Sequence, residues 1–237
     1  PIPDENGLQG ARSVVELAKD VHEGDLIFCA ITGGSSALMP LPAKGIVLEE
    51  KRQVTELLLR SGAVIQEINS VRKHLSAIKG GRLAQLLRKA TIINLTVSDV
   101  IGDWAYLDCI TDNTVPDSST FSDAVRVLKR YNLWDVIAQG VKTHLMRADP
   151  SEETSKTLPG IKIHTFMLAT NSDACEAARI RGEELGLNSM VLSTMVEGES
   201  REAGIVMAGV AREVELRDRP LKIPCALIVG GENTVTI

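Results

Sequence analysis

From residue 162 onward the chain alternates short apolar runs with amphipathic stretches, and that alternation admits few folds. Lys162–Ala169 predicts a strand, Ser172–Leu185 a helix, Ser189–Ser193 a strand, Arg201–Leu216 a helix and Cys225–Val229 a strand. Strands separated by helices at this spacing pair in parallel, because each crossover helix returns the chain to the same end of the sheet. Upstream, Asp25–Ile31 and Thr91–Val97 have the same buried-strand character. Helical spacing runs over Leu48–Ser61 and Ile65–Ser76, and again over Arg82–Lys89 after the break at Gly80-Gly81. Thr120 and Asp123 form a capping box ahead of Phe121, Ala124, Val125 and Leu128, while residues 99–119 are irregular and acidic. Only 3% of residues are aromatic against 44% hydrophobic, so the core is aliphatic. The expected fold class is α/β, with two Rossmann-like parallel-sheet units, the second incomplete.

The polar stretch Ala148–Gly160 carries Pro150, Pro159 and a Ser/Glu/Thr run. It predicts a linker at 151–160, between an N-terminal α/β domain at 1–150 and the beginning of a second at 161–237. Pro1 opens the chain without an initiator methionine, and Thr234-Val-Thr-Ile237 closes it just after a strand. The expectation is a central portion of a longer protein, lacking the start of its first domain.

Charge narrows the function. Formal net charge is -5, which argues against nucleic acid, whose binding draws on Lys and Arg neutralising phosphates. No apolar run is long enough for a membrane helix. Cys29, Cys109, Cys175 and Cys225 are scattered without metal-ligand spacing and read as buried thiols. With no signal-peptide pattern, the expected location is the cytoplasm.

Against this acidic background stands a basic island. Between Glu67 and Asp99 lie Arg72, Lys73, Lys79, Arg82, Arg88 and Lys89, with no acidic residue. Arg72 and Lys79, seven apart, are expected near one helical face. Lys79 beside Gly80-Gly81 has the makings of an anion clamp, a point charge next to accessible N–H groups. The bland alternative is a solvated helix face, which suits Arg88 and Lys89. Gly33-Gly34-Ser35-Ser36 follows a strand and could cradle an anion, or be an ordinary βα turn; it matches neither a P-loop nor a dinucleotide fingerprint. Ser98-Asp99 closes a strand and Asp103 follows, where two carboxylates could hold Mg²⁺, or Asp103 could act as base toward a substrate hydroxyl. An Asx-type turn is the structural alternative. His144 and His164 have no partner pattern and read as structural, and Asn171-Ser172 and Glu199-Ser200 as helix N-caps.

Together these residues resemble the glycerate 2-kinases, a family also labelled hydroxypyruvate reductases. The strongest stretch is Gly62-Ala-Val-Ile-Gln-Glu-Ile-Asn-Ser-Val-Arg-Lys-His-Leu-Ser-Ala-Ile-Lys-Gly-Gly-Arg-Leu-Ala84, supported by Thr32–Pro40, Ser98–Asp103, Val115-Pro-Asp117 and Glu197–Glu202. The resemblance covers essentially the whole chain. It implies ATP-dependent phosphorylation of D-glycerate to 2-phosphoglycerate, assisted by Mg²⁺, with D-glycerate and ATP as the small-molecule partners and a homodimer left open. Within it, residue type suggests Gly33, Gly34, Ser35, Ser36, Gly80, Gly81 and Ser98 for substrate or phosphate, Lys79, Asp103 and Arg72 for catalysis, and Asp99 for the metal. Thr111-Asp-Asn-Thr114 departs from the family's Ser-Gly-Pro-Thr, and Trp104-Ala-Tyr106 is bulky. A non-catalytic anion-binding remnant, or a kinase of a different small hydroxy acid, is the alternative. A nicotinamide-dependent reductase is disfavoured by the absence of G-x-G.

Overall fold

A computed structural model describes residues 3–98, 101 and 113–235, apart from the side chains of Ser35 and Ser36. The described residues form two compact units. One holds the residues up to Thr96 and those from 113 to Phe166; the other holds Val97, Ser98, residue 101 and the stretch from Met167.

The first unit carries a sheet and a helical cluster. Strand β1 (Leu26–Ile31) pairs in parallel with β2 (Thr91–Val97), in register from Leu26↔Thr91 to Ile31↔Thr96, and β3 (Lys162–Ala169) follows in the order β1-β2-β3. Helix α1 (Glu5–Lys19) opens on Asp4, whose carboxylate accepts the Gly7 N–H at 2.7 Å. Its Ala11 and Ala18 join Ile92 of β2 and the Ile78–Ala90 region in one apolar core. That region includes α5 (Arg82–Leu86), whereas α2 is the short turn Ser35–Leu38.

A second core is built mainly by helices, α3 (Leu48–Arg60), α4 (Ile65–His74), α6 (Phe121–Arg130) and α7 (Gln139–Arg147), with Ala43, Ile46, Leu75, Leu133 and Ile137 from the segments beside them. Val54, Leu58, Val71, Leu128 and Val141 are its most enclosed members. The Thr120 and Asp123 capping box is present as expected, with Thr120 Oγ1 accepting the Asp123 N–H at 3.2 Å.

In the second unit β4 (Asn188–Val196) and β5 (Cys225–Gly231) pair in parallel, and α8 (Asn171–Glu184) packs on both. Parallel α/β architecture is therefore as the alternation implied. Helix α9 (Ser200–Arg217) turns Ala203, Met207, Val210 and Val214 inward, but Val206, expected on that face, is exposed. The N-cap of α8 is Thr170, one residue before the expected Asn171-Ser172; its hydroxyl accepts the Asp173 N–H.

The division between units falls within β3, between Phe166 and Met167, and not at 151–160. Composition made 151–160 look like a tether because its side chains are polar. Those polar groups are instead partnered: Ser155 N–H donates to Gly80 O, Asp117 N–H donates to Ser155 O, and Thr154 is buried.

Leu58 is fully enclosed between these helices, so Leu58→Ala is expected to cost about 2–5 kcal/mol of folding stability. Urea unfolding monitored by circular dichroism checks this, and a loss below about 1 kcal/mol would contradict the packing of the helical core.

Candidate functional site

A helix leaves its last carbonyls without intrahelical donors, and α4 ends in the interior, where water cannot supply them. Cationic or ring N–H donors do so instead. His74 Nδ1 lies 2.6 Å from Ser70 O, Arg82 Nη1 3.0 Å from Lys73 O, His144 Nε2 2.8 Å from His74 O and Lys51 Nζ 3.1 Å from Leu75 O. Positive charge at this end is also favoured by the helix dipole. Much of the basic island thus completes a helix terminus.

Lys73 pairs with Asp117 at 3.2 Å, and both are almost completely buried. Burial alone would raise the Asp117 carboxyl, but Lys73 and the Ser119 donors outweigh it and hold it below the usual carboxylate range. His74 is fully buried, with Nε2 2.7 Å from Glu153 Oε1. Ser70 O can only accept, so Nδ1 carries a proton; the Glu153 carboxylate also only accepts, so one proton lies between it and Nε2. Burial pulls the imidazole down in pKa and would push the carboxyl up. For Glu153 the Thr154 N–H, His74 and the Phe121 N–H prevail, and its pKa falls from 4.5 to about 2.

After Leu75 the chain leaves the helix. Ala77 N–H donates to Leu41 O at 3.0 Å, Ala43 N–H donates to Leu75 O at 3.1 Å, and Ser76 Oγ also donates to Leu41 O. Arg72 and Lys79 are therefore not on one helical face. Ser76 makes side-chain and backbone bonds that compete with the next helical turn. The same ladder joins the segment that follows α2 to the segment that leads into Lys79.

The structure places the expected residues as follows. Gly33 and Gly34 are exposed, with Gly34 at φ +81°, and α2 begins at Ser35. Arg72 is half-buried in the last turn of α4. The Lys79 side chain is completely enclosed. Gly80 and Gly81 are buried at φ +64° and +78°, and a Cβ on Gly80 would come within 2.5 Å of Thr154 Cγ2. Their glycine character thus serves close approach of the chain to itself, correcting the expectation of open N–H groups. Ser98, in the second unit, is buried, and its N–H donates to Ala169 O. Asp99 and Asp103 lie outside the described residues.

Sequence reasoning missed Lys73, His74, Asp117, Glu153 and Arg82 as a connected set. Val115-Pro-Asp117 and Lys73-His74 lay within matched motifs, but their pairing across 44 positions has no local signal. At the carboxyl end of β2, Thr96 Oγ1 is buried without a hydrogen-bond partner among the described residues, as is Asn113 Oδ1. Asn113 Nδ2 lies 3.8 Å from Met39 Sδ, just past the glycine turn. A cavity of about 440 Å³ lined by His22, Glu23, Arg88, Lys89 and Lys162 opens instead at the amino ends of β2 and β3, the end away from which parallel sheets take ligands. Among the described residues no three His, Cys, Asp or Glu side chains gather as a metal site, and Asp117 is already engaged by Lys73 and Ser119.

Residues 1–146 match the model of the domain of unknown function DUF4147. The chain belongs to that family. It is 42% identical over its whole length to a glycerate 2-kinase of Pyrococcus horikoshii and 41% identical to a D-glycerate 2-kinase of Thermotoga maritima, spanning 54% of each. The crystal structure of glycerate kinase from Thermotoga maritima superposes with TM-score 0.80 at 40% identity, covering 100% of this chain and 55% of that one. The chain thus spans about half the length of the curated relatives it matches. The resemblance read from Gly62–Ala84 is borne out. No helix among the described residues is long and apolar enough to cross a membrane.

The Glu153 carboxyl has a folded pKa below its ordinary 4.5, so its stabilisation is present above pH 4.5 and is lost as pH falls from there toward about 2. Acid unfolding should therefore be steep in that window for the native chain and shallower for Glu153→Gln. Identical acid profiles would show that the pair with His74 contributes nothing.

Proposed function

We propose that the chain carries part of the active site of a glycerate 2-kinase, which transfers the γ-phosphoryl of ATP to the 2-hydroxyl of D-glycerate. The observation that carries this reading is the full-length match to proteins named glycerate 2-kinases, in a chain whose Leu41–Ala43 and Leu75–Ala77 ladder ties the segment after α2 to the one that leads into Lys79. The buried, unpartnered Thr96 and Asn113 oxygens support a polar ligand on the same side, since such groups are rarely left unsatisfied.

In this reading Arg72, whose planar guanidinium suits a carboxylate, holds the acid group of D-glycerate. The N–H groups at Gly33 and Gly34 and the Ser35 and Ser36 hydroxyls cradle the phosphoryl oxygens. Lys79 supplies positive potential from the interior, where a charge acts in a low dielectric and is already positioned. Phosphoryl transfer asks chiefly for such positioning and charge stabilisation. Ser98 and Asp103 are assigned to the substrate and Asp99 to Mg²⁺, which would neutralise phosphate charge. The reaction, its ATP dependence and a cytoplasmic setting belong to this proposal.

A second reading, an anion-binding remnant, draws on the enclosure of Lys79 and on the departures at 104–114. A coupled ADP-release assay with D-glycerate, ATP and Mg²⁺, on the 237-residue chain and on the whole gene product, separates the two. Lys79→Met should lower turnover about a hundredfold or more with the circular dichroism spectrum unchanged. Wild-type turnover in that variant would remove Lys79 from the mechanism, and silence from the native protein with retained D-glycerate binding would favour the remnant.

A further inference from the structure

We infer that Glu153 is a positioning residue for the Lys79-Gly80-Gly81 turn, acting through His74 and the strap of residues 152–155. The inference rests on the kinase reading for its catalytic consequence, but its structural part stands on contacts alone.

The carboxylate is held from several sides. Oε1 accepts from His74 Nε2 at 2.7 Å, from the Thr154 N–H at 2.8 Å, and from Thr154 Oγ1 and Lys156 Nζ at 3.2 Å. Oε2 accepts the Phe121 N–H at 3.2 Å, one of the orphan donors in the first turn of α6. One side chain thereby joins the end of α4 to the start of α6, where both termini favour the charge each receives.

The strap on either side of Glu153 lies directly on the turn. Glu152 O accepts from Arg82 Nη2, whose partner nitrogen Nη1 donates to Lys79 O at 3.1 Å. Ser155 N–H donates to Gly80 O at 3.0 Å, and the Thr154 methyl fills the space that a Gly80 side chain would take. The turn has no regular secondary structure of its own, with both glycines at positive φ. Its shape is set by what presses on it, and the strap presses through Glu152, Thr154 and Ser155, each within two residues of Glu153.

Neutralising Glu153 removes the charged acceptor that His74 and Lys156 require, while keeping the shape of the side chain. The strap then loses its anchor at α4, and the backbone that carries Lys79 shifts. A displacement of about 1 Å in a positioned catalytic group can cost about a hundredfold in rate.

The test compares native chain and Glu153→Gln by amide resonances of the ¹⁵N-labelled protein and by kinetics of the whole gene product. The expected result is a shift or broadening confined to residues 74–82 and 152–156. With it should come a fall of about tenfold in kcat for D-glycerate phosphorylation, and a KM changed less than about twofold. Thr154→Ser, which deletes the methyl against Gly80 and keeps the hydroxyl, should move the same amides and lower kcat less; it decides the matter if Glu153→Gln does not fold. Unmoved Lys79, Gly80 and Gly81 amides in the folded variant overturn the inference whatever the kinetics show. Moved amides together with native turnover in Lys79→Met would instead remove Lys79 from the mechanism and leave Glu153 as an anchor of the turn alone.

Discussion

The interior end of α4 is the constraint on which the first unit depends. Four buried acceptors, the carbonyls of Ser70, Lys73, His74 and Leu75, receive side-chain donors away from water, and those donors come from α3, α5, α7 and α4 itself. An unsatisfied buried carbonyl costs about 1–3 kcal/mol; Lys73 O and Leu75 O are secured further by the Ser76 and Ala43 N–H groups. Because two of the donors are Lys51 and Arg82, and Lys73 lies in the same last turn, the terminus accumulates positive charge in a region of low dielectric. That charge in turn demands Asp117 and Glu153. The buried anions are a consequence of the carbonyls, and the positions of 113–120 and 150–156 are a consequence of the anions.

Magnitudes separate these contacts from the many ion pairs elsewhere. Lys19–Glu16 and Arg181–Glu184 are exposed pairs within one helix, worth at most about 0.5 kcal/mol each. Lys73–Asp117 is of another kind: removing one partner leaves an enclosed charge, a loss of about 3–5 kcal/mol. The same pair contributes little net stability over an apolar substitute. What it does supply is a fixed arrangement, since Asp117 engages Lys73 and Ser119 together. Precision of geometry, rather than stability, is what the first unit gains from its buried charges.

The sequence made the strands legible and the site only partly so. Thr91–Val97 was readable to the residue because a run rich in β-branched residues has no competing helical period, and Lys162–Ala169 because it is a short, largely apolar run bounded by Gly160 and a helix cap. Helix α1 went unread although Asp4, Leu8, Ala11 and Ala18 mark its cap and inner face, and α7 was hidden by an apolar content too sparse to show a stripe. Ser76 ended α4 two residues earlier than its periodicity suggested, because the bonds to Leu41 lie 35 positions away. For the same reason 151–160 read as a tether. Its Ser, Thr and Glu are what a solvated linker would use, and only the distant Gly80, Asp117 and His74 turn them inward. Motif matching located Lys73-His74, Lys79-Gly80-Gly81 and Asp117, but pairing is a property of the fold.

This changes how the basic island bears on function. A count of cations beside a glycine pair suggests an open anion clamp, yet Lys73 and Arg82 are committed to Asp117 and to backbone carbonyls, and Gly80 and Gly81 to the strap. The proposed reading leaves a narrower set for a ligand: a half-buried Arg72, an enclosed Lys79 and an exposed glycine turn. Phosphoryl transfer needs few charges held rigidly more than many held loosely. Donors committed to the scaffold suit that demand, because each removes a degree of freedom before substrate arrives. Much of the apparent surplus of positive charge is then scaffold, and the proposed reading assigns Arg72, Lys79 and the turn to the ligand.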